Sequence, residues 1–284
     1  MATIAPTARQ RRLGRVLKEL RVAARMTQPE AASVLRCTEG KISRIENALS
    51  GVREIDLELL LNAYGVGDEG QRAALEKLRR EAKGRGWWTR HQIPRGYADY
   101  AALEEDASEA YNVETTLIPG LLQTPDYTRA MLQTQFPNAD PDTVETFIAV
   151  KQERKQVLGK PSPLTLWAVI SESVLKHIVG SQDIMRNQLR ALVETAEQYK
   201  NVNLLVLPES SGAHAGLFGP FVILSFPEST ETDVVYLDGL KRILYLEEPH
   251  EVTEYRASFQ SLMKASMDHE KSKRYVAQLA DNMK

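Results

Sequence analysis

Thr27-Gln28-Pro29-Glu30-Ala31-Ala32-Ser33-Val34-Leu35-Arg36-Cys37-Thr38-Glu39-Gly40-Lys41-Ile42-Ser43-Arg44-Ile45-Glu46-Asn47 reads as two short helices joined by a tight turn. Thr27 can cap the first of them, Glu30 closes a capping box three residues on, and Pro29 sits in the first turn, where a missing N–H costs little. That helix is expected to end near Leu35. After the turn Arg36-Cys37, Thr38 caps a second helix that is expected to run through Ala48, with Ile42, Ile45 and Leu49 on its inner face. Ser50-Gly51 then breaks the chain.

Helical spacing extends outward in both directions. Upstream, Leu13, Val16, Leu17, Leu20 and Ala24 predict a first helix from Arg11 to Met26. Downstream, Leu57, Leu60, Leu61 and Tyr64 predict a fourth, and a fifth runs from about Asp68 to Lys83. Residues 1–10 are polar and are expected to be a disordered tail. Residues 84–90, which include Gly84-Arg85-Gly86, are expected to be a linker, with Trp87 and Trp88 as packing anchors at the domain junction. The organisation is thus a helix-turn-helix domain over 11–83 and a second domain over 91–284.

The second domain is expected to be α+β. Helical patterns cover about 97–116, 125–135 and 141–158. β-rich runs follow at Leu164–Ile170, Val202–Leu207, Phe221–Phe226, Val234–Leu237 and Ile243–Leu246. A helix from about Ser181 to Tyr199 separates the first two runs, and an amphipathic helix covers about Glu251 to Met267. Ile118–Thr124 reads as a buried turn.

Bulk properties narrow the function. The 284 residues suffice for two domains, and no apolar run is long enough for a membrane span. The N-terminus has no secretion-signal pattern, so a cytoplasmic location is expected. Cys37 is the sole cysteine, which excludes an internal disulfide and any multi-cysteine zinc site. Charge is uneven: residues 1–53 hold eleven Lys/Arg against four Asp/Glu, while the whole chain is at −2. A basic head on an acidic body suggests that the head meets a polyanion.

The outward face of the third helix carries Glu39, Gly40, Lys41, Arg44 and Asn47. Arg44 can donate two parallel hydrogen bonds to a guanine, and Glu39 can accept from a cytosine. Gln28 can offer its side chain and backbone N–H to a phosphate. No Gly-x-Ser-x-Gly elbow and no Gly-rich phosphate loop is present, and no nucleophile, base and orienting residue group together. No catalytic residue, cofactor or metal site is therefore expected. His214 lies between glycines and reads as an exposed loop; with Gly216 and Phe218 it is a candidate ligand or partner loop.

These residues carry two resemblances. Thr27-Gln28 and Lys41-Ile42-Ser43-Arg44-Ile45-Glu46-Asn47 resemble the XRE family of phage-repressor-like helix-turn-helix regulators, over about 11–66. The resemblance implies a compact five-helix domain that binds double-stranded DNA, with Gln28, Lys41, Ser43 and Asn47 on phosphates and Thr38 beside them. Glu39, Gly40 and Arg44 would face the bases, and Arg21 and Glu46 would form an ion pair between the first and third helices. The family's turn usually carries Gly; here it is Arg36-Cys37, which would have to accept any positive φ. The second resemblance covers most of 86–270. Gly86-Trp87-Trp88, Ile118–Thr124, Gly212–Gly216, Gly219-Pro220-Phe221, Tyr236–Gly239 and Leu244–Glu247 are similar to the C-terminal domain of a set of actinomycete XRE-type regulators. It implies a regulator that is expected to dimerise and to sense a ligand or a small partner protein encoded nearby. The alternative it implies is an antitoxin-like module that holds that partner and autoregulates.

Overall fold

The computed structural model describes residues 6–83, 90–91, 93–227, 233–239 and 243–283. They divide into two compact units. The first runs up to Arg90 and takes in Tyr97–Leu103; the second holds His91–Gly96 and the described residues from Glu104 on. The expected boundary at residue 91 is therefore not a clean cut, because part of one helix groups with the first unit. The linker residues 84–89, with Trp87 and Trp88, and residues 1–5 of the expected tail lie outside the described residues.

The first unit is helical: α1 (Ala8–Ala23), α2 (Gln28–Val34), α3 (Glu39–Glu46), α4 (Glu54–Ala63) and α5 (Glu69–Lys83). α1 starts inside the expected tail. Thr7 accepts from the Gln10 N–H, and the Gln10 side chain accepts from the Thr7 N–H, so a capping box fixes a first turn that the polar composition concealed. Leu13, Val16, Leu17, Ala31, Ile42, Ile45, Leu57, Leu60 and Leu61 share one buried core. Their i, i+3, i+4 spacing is the sequence signal, and burial of this apolar surface is the main force holding the five helices together.

All four inter-helix turns close alike. Met26 N–H bonds Arg21 C=O, Cys37 N–H bonds Ala32 C=O, Leu49 N–H bonds Arg44 C=O, and Val66 N–H bonds Leu61 C=O. Each is the six-to-one bond of a Schellman ending, which places the residue before it in the left-handed region. Only the last uses glycine there, Gly65 at φ +73°. Arg25 (+56°), Arg36 (+48°) and Ala48 (+58°) adopt it despite their Cβ atoms. This also corrects the expected extent of the third helix. It ends at Glu46, and the reversal at Ala48 swings Leu49 out of the core, leaving it 62% exposed.

The second unit is α+β. α6 (Arg95–Asp106), whose residues Tyr97–Leu103 group with the first unit, leads to β1 (Glu109–Glu114), α7 (Pro125–Gln135), α8 (Pro141–Arg154), β2 (Thr165–Ser171), α9 (Glu172–Lys176), α10 (Gln182–Gln198) and β3 (Val202–Leu207). Then come β4 (Phe221–Ser225), β5 (Val234–Asp238), β6 (Ile243–Leu246), α11 (Pro249–Ala265) and α12 (His269–Asn282). The sheet order is β3-β2-β1-β4-β5-β6, with β1, β2 and β3 parallel and the other pairings antiparallel. β1 corrects the expected helix over 97–116: six of those residues form a central strand flanked on both sides by partners. Tyr111 and Val113 join Val169, Leu205, Ile223 and Val235 beneath Phe259 and Leu262 of α11.

β3 ends the sheet, yet its outer side is satisfied. Met267 N–H bonds Val206 C=O, Val206 N–H bonds the Ser272 hydroxyl, and Leu204 N–H bonds His269 Nδ1. The start of α12 thus takes the place of a seventh strand. Among the described residues no helix is long and apolar enough to cross a membrane.

Candidate nucleic-acid interface

The helix-turn-helix is α2, the turn Leu35–Thr38 and α3. Thr27 and Glu30 form the reciprocal box at the start of α2, with Thr27 N–H to Glu30 Oε2 at 2.7 Å. Thr38 takes the extended conformation of an N-cap but its side chain makes no capping hydrogen bond, so its exposed hydroxyl is uncommitted at the head of α3. Cys37 is half-buried in the turn.

α3 is fixed from behind. Ile42 and Ile45 are in the core, and Glu46 is buried beside them. The Glu46 carboxylate accepts from Arg21 Nε at 2.6 Å and Arg21 Nη2 at 3.1 Å, and from Gln28 Nε2 at 2.7 Å. Arg21 also donates to the Met26 carbonyl at 2.7 Å. One carboxylate therefore ties α1, α2 and α3 together. A second tie links α3 to α4. Lys41 Nζ donates to Asp56 at 2.9 Å, and Arg53 donates to both oxygens of the same carboxylate at 3.1 and 2.8 Å. These bonds, from Arg53 first and then Lys41, hold the buried Asp56 carboxyl below the usual carboxylate range against the opposing effect of burial.

The close approach of α1 to α3 depends on Gly14. A Cβ there would lie 2.7 Å from the carbonyl oxygens of both Ile45 and Glu46. The sequence offered only a faint signal, one glycine within an otherwise regular helical pattern.

The outer face of α3 differs in kind. Glu39, Gly40, Arg44 and Asn47 are exposed, and Lys41 and Ser43 are half-buried. Among the described residues neither the Arg44 nor the Glu39 side chain has a hydrogen-bond or ion-pair partner, whereas Asn47 folds back to donate to the Ser43 carbonyl at 2.8 Å. Three expected phosphate contacts are thus already engaged: the Gln28 amide on Glu46, the Lys41 ammonium on Asp56 and the Asn47 amide on Ser43. Lysine carries three N–H donors, so two remain at Lys41. The roles of Asp56 and Arg53 as the support of Lys41 were not read from the sequence; the Arg53/Asp56 spacing of three on a helix was the available signal.

In the second unit the expected ligand loop is a short 3-10 turn, Ala215–Phe218, preceded by His214 and followed by Gly219 at φ +125°. His214 Nδ1 is buried with no hydrogen-bond partner, and Gly216 is buried against the imidazole, where a Cβ would lie 3.1 Å from that nitrogen. Phe218 is the reverse, 96% exposed. Polar groups are also buried in the second unit. Arg154 and Glu104 form a buried two-bond ion pair at 2.7 and 2.9 Å, and Lys151 donates to Gln123 at 2.5 Å. Among the described residues no group of three or more His, Cys, Asp or Glu is placed to hold a metal ion.

Comparison with known families assigns both halves. Residues 12–75 match the family described as a helix-turn-helix domain, and residues 97–278 match the one described as a domain of unknown function, DUF5753. No curated protein and no solved structure matches the chain. The helix-turn-helix assignment is consistent with DNA binding and transcription regulation. With the second match spanning more than half of its length, the chain belongs to the DUF5753 family and carries a helix-turn-helix domain ahead of that domain.

Proposed function

We propose that this protein is a sequence-specific, dimeric transcription regulator that reads DNA with the outer face of α3. The observation that carries the reading is the contrast at Arg44. Its neighbours Lys41 and Glu46 are tied to other helices, while Arg44 and Glu39 stand exposed without a partner on a helix held rigid from behind. The helix that carries the guanidinium is already held, so binding a guanine edge has only the rotamers of the Arg44 side chain to order. Thr38, Ser43, Asn47, Gln28 at the N-terminus of α2, and the remaining donors of Lys41 would meet the flanking phosphates, and Gly40 lets the backbone approach. Two copies would place their α3 helices about 34 Å apart on an inverted repeat.

Selection of bound sequences from a random duplex pool tests this. An inverted repeat is expected from the parent chain. Arg44→Ala is expected to lose about 1–3 kcal/mol at the selected site and to relax preference at one base pair. Recovery of no preferred sequence at low ionic strength would sink the reading. The second unit would receive the signal through the loop of His214, Gly216 and Phe218. Exposure of Leu217 and Phe218 also supports the alternative, in which that loop holds a small partner protein in an antitoxin-like arrangement. A stoichiometric small protein retained with the tagged chain would favour the alternative.

A further inference from the structure

The strand order of the sheet turns around at β1. Helical crossovers carry the chain from β1 to β2 and on to β3 on one side, while β4 and β5 lie on the other. In open sheets with helical crossovers, small ligands bind outside the carboxyl ends of the strands at such a reversal. Glu114 is the last residue of β1. β4 runs antiparallel between β1 and β5, so β5 points the same way as β1. Its own last residue, Asp238, therefore lies about 10 Å from Glu114, two strand spacings away. Val113, Val235 and Leu237 pack with α11, so alternation turns Asn112, Glu114, Tyr236 and Asp238 to the opposite face. There the Glu114 and Asp238 carboxyls feel the charge of Lys151, and Asp238 also faces Arg154 and the Tyr236 hydroxyl.

Three polar groups on this face are unmatched. Asn112 is only 7% exposed, and its Oδ1 is buried with no hydrogen-bond partner. Glu114 is half-buried, and its carboxyl takes part in no side-chain hydrogen bond or ion pair among the described residues. Lys151 donates to the Gln123 amide oxygen at 2.5 Å and has no carboxylate within ion-pair reach among the described residues, which leaves two of its N–H donors. Glu114 and Lys151 thus carry opposite charges, close enough to sense one another but not in contact. Burial outweighs their attraction, pushing the Glu114 carboxyl up and the Lys151 ammonium down. The neighbouring Arg154 is answered by the two-bond ion pair with Glu104.

The buried formal charges balance: Lys151 and Arg154 against Glu104 and Glu114. A ligand with net charge would enter this balance uncompensated, which is costly away from water. A small body that carries one charge of each sign keeps the balance and supplies what each unmatched group needs. We infer that this face, at the carboxyl end of β1, binds a free α-amino acid, its carboxylate on Lys151 and its ammonium on Glu114 and Asn112 Oδ1. The inference deepens the proposed sensing role and rests on it only for its regulatory meaning. It also reaches the loop of His214, because a Cβ on Gly216 would lie 3.3 Å from the methyl of Thr115, the residue after Glu114.

The probes are the standard L-amino acids, titrated calorimetrically one at a time into the full-length chain. Saturable heat is expected from at least one. Its amide, which lacks the carboxylate, and its N-acetyl derivative, which lacks the ammonium, are each expected to bind weaker by about tenfold or more. Glu114→Gln and Lys151→Met are each expected to weaken the amino acid about tenfold. Asn112→Leu removes a buried acceptor that has no partner, so its denaturant midpoint should equal or exceed the parent's while binding falls about threefold or more. A purely structural asparagine would not give that split.

No saturable heat from any amino acid at millimolar concentration, equal binding of the blocked derivatives, or folded variants that bind like the parent would each overturn the assignment. DNA selection with the same preparations, without probe, is scored separately. A chain that prefers an inverted repeat but ignores every amino acid fails this inference alone. One that binds an amino acid but no duplex fails the regulator reading alone.

Discussion

Replacing Gly14 by alanine should destabilise the first unit, although the same replacement in an ordinary helix interior stabilises. Alanine is favoured over glycine by about 0.8–1.0 kcal/mol of helix propensity. At Gly14 the added Cβ would lie 2.7 Å from two carbonyl oxygens of α3, where ordinary contact begins at 3.4 Å. Both are backbone atoms in the last turn of the helix, and the Ile45 oxygen also accepts the Ala48 N–H at 3.0 Å, so neither can rotate aside. The helices must separate by roughly 0.7 Å, and overpacking of this kind costs about 1–3 kcal/mol. The net expectation is a loss of up to about 2 kcal/mol, centred near 1. Gly40→Ala supplies the opposite sign, because its Cβ would meet only the Thr38 hydroxyl at 4.0 Å and the propensity gain is unopposed. Hydrogen exchange of α1 and α3 amides in the full chain reads both. Gly14→Ala should speed exchange about fivefold and Gly40→Ala should slow it, since about 1.4 kcal/mol is a factor of ten. Protection equal to or greater than the parent's in Gly14→Ala would refute the close-crossing argument.

The left-handed positions give a second sign reversal. Arg25→Gly, at an exposed residue with φ +56°, should raise the stability of the first unit by about 0.5–1 kcal/mol, and Gly65→Ala, at +73°, should lower it by a similar amount, as read by the same exchange measurement. For Asp56 the folded carboxyl lies below its unfolded value, so its contribution is full above the ordinary carboxylate range and is lost as pH falls through the lower folded pKa. The stability gap between the parent and Asp56→Asn should therefore narrow on acidification below that range, and a gap independent of pH would remove the ion-pair account. In the second unit, Arg154→Met should cost about 3–5 kcal/mol by leaving Glu104 buried and unpaired, and adding Glu104→Leu should recover much of it, as measured by denaturant unfolding.

Local signals carried most of the first unit. The cap at Thr27 and the spacing of Leu57, Leu60, Leu61 and Tyr64 are short-range facts, and α2, α4 and α5 lie where the local pattern points. Three errors share one origin. The start of α1 hung on a reciprocal bond between Thr7 and Gln10 within a stretch that composition marked as tail. The end of α3 hung on Ala48 entering a region that sequence rules reserve for glycine, which exposed Leu49. Glu109, Asn112 and Glu114 make β1 too polar to look like a central strand. Its parallel pairing to β2 and antiparallel pairing to β4 decided the matter, and those partners lie far along the chain. The candidate interface divides the same way. The exposed residues Glu39, Gly40 and Arg44 follow from helix phase. The bond from Lys41 to Asp56 and the Gln28 bond to Glu46 join residues whose meeting no local pattern announces.

The β3 border of the sheet bears on solubility. A row of unbonded amides along a terminal strand is an open template on which a neighbouring chain can grow. At β3 that template is used up by Met267, His269 and Ser272, so the final helix acts as a stopper as well as a packing element. A chain cut just before that helix would keep every strand it has and still become adhesive, with apolar Leu204 and Val206 left on a bare margin. The fitness of the last segment is thus measured less by what it binds than by what it keeps away.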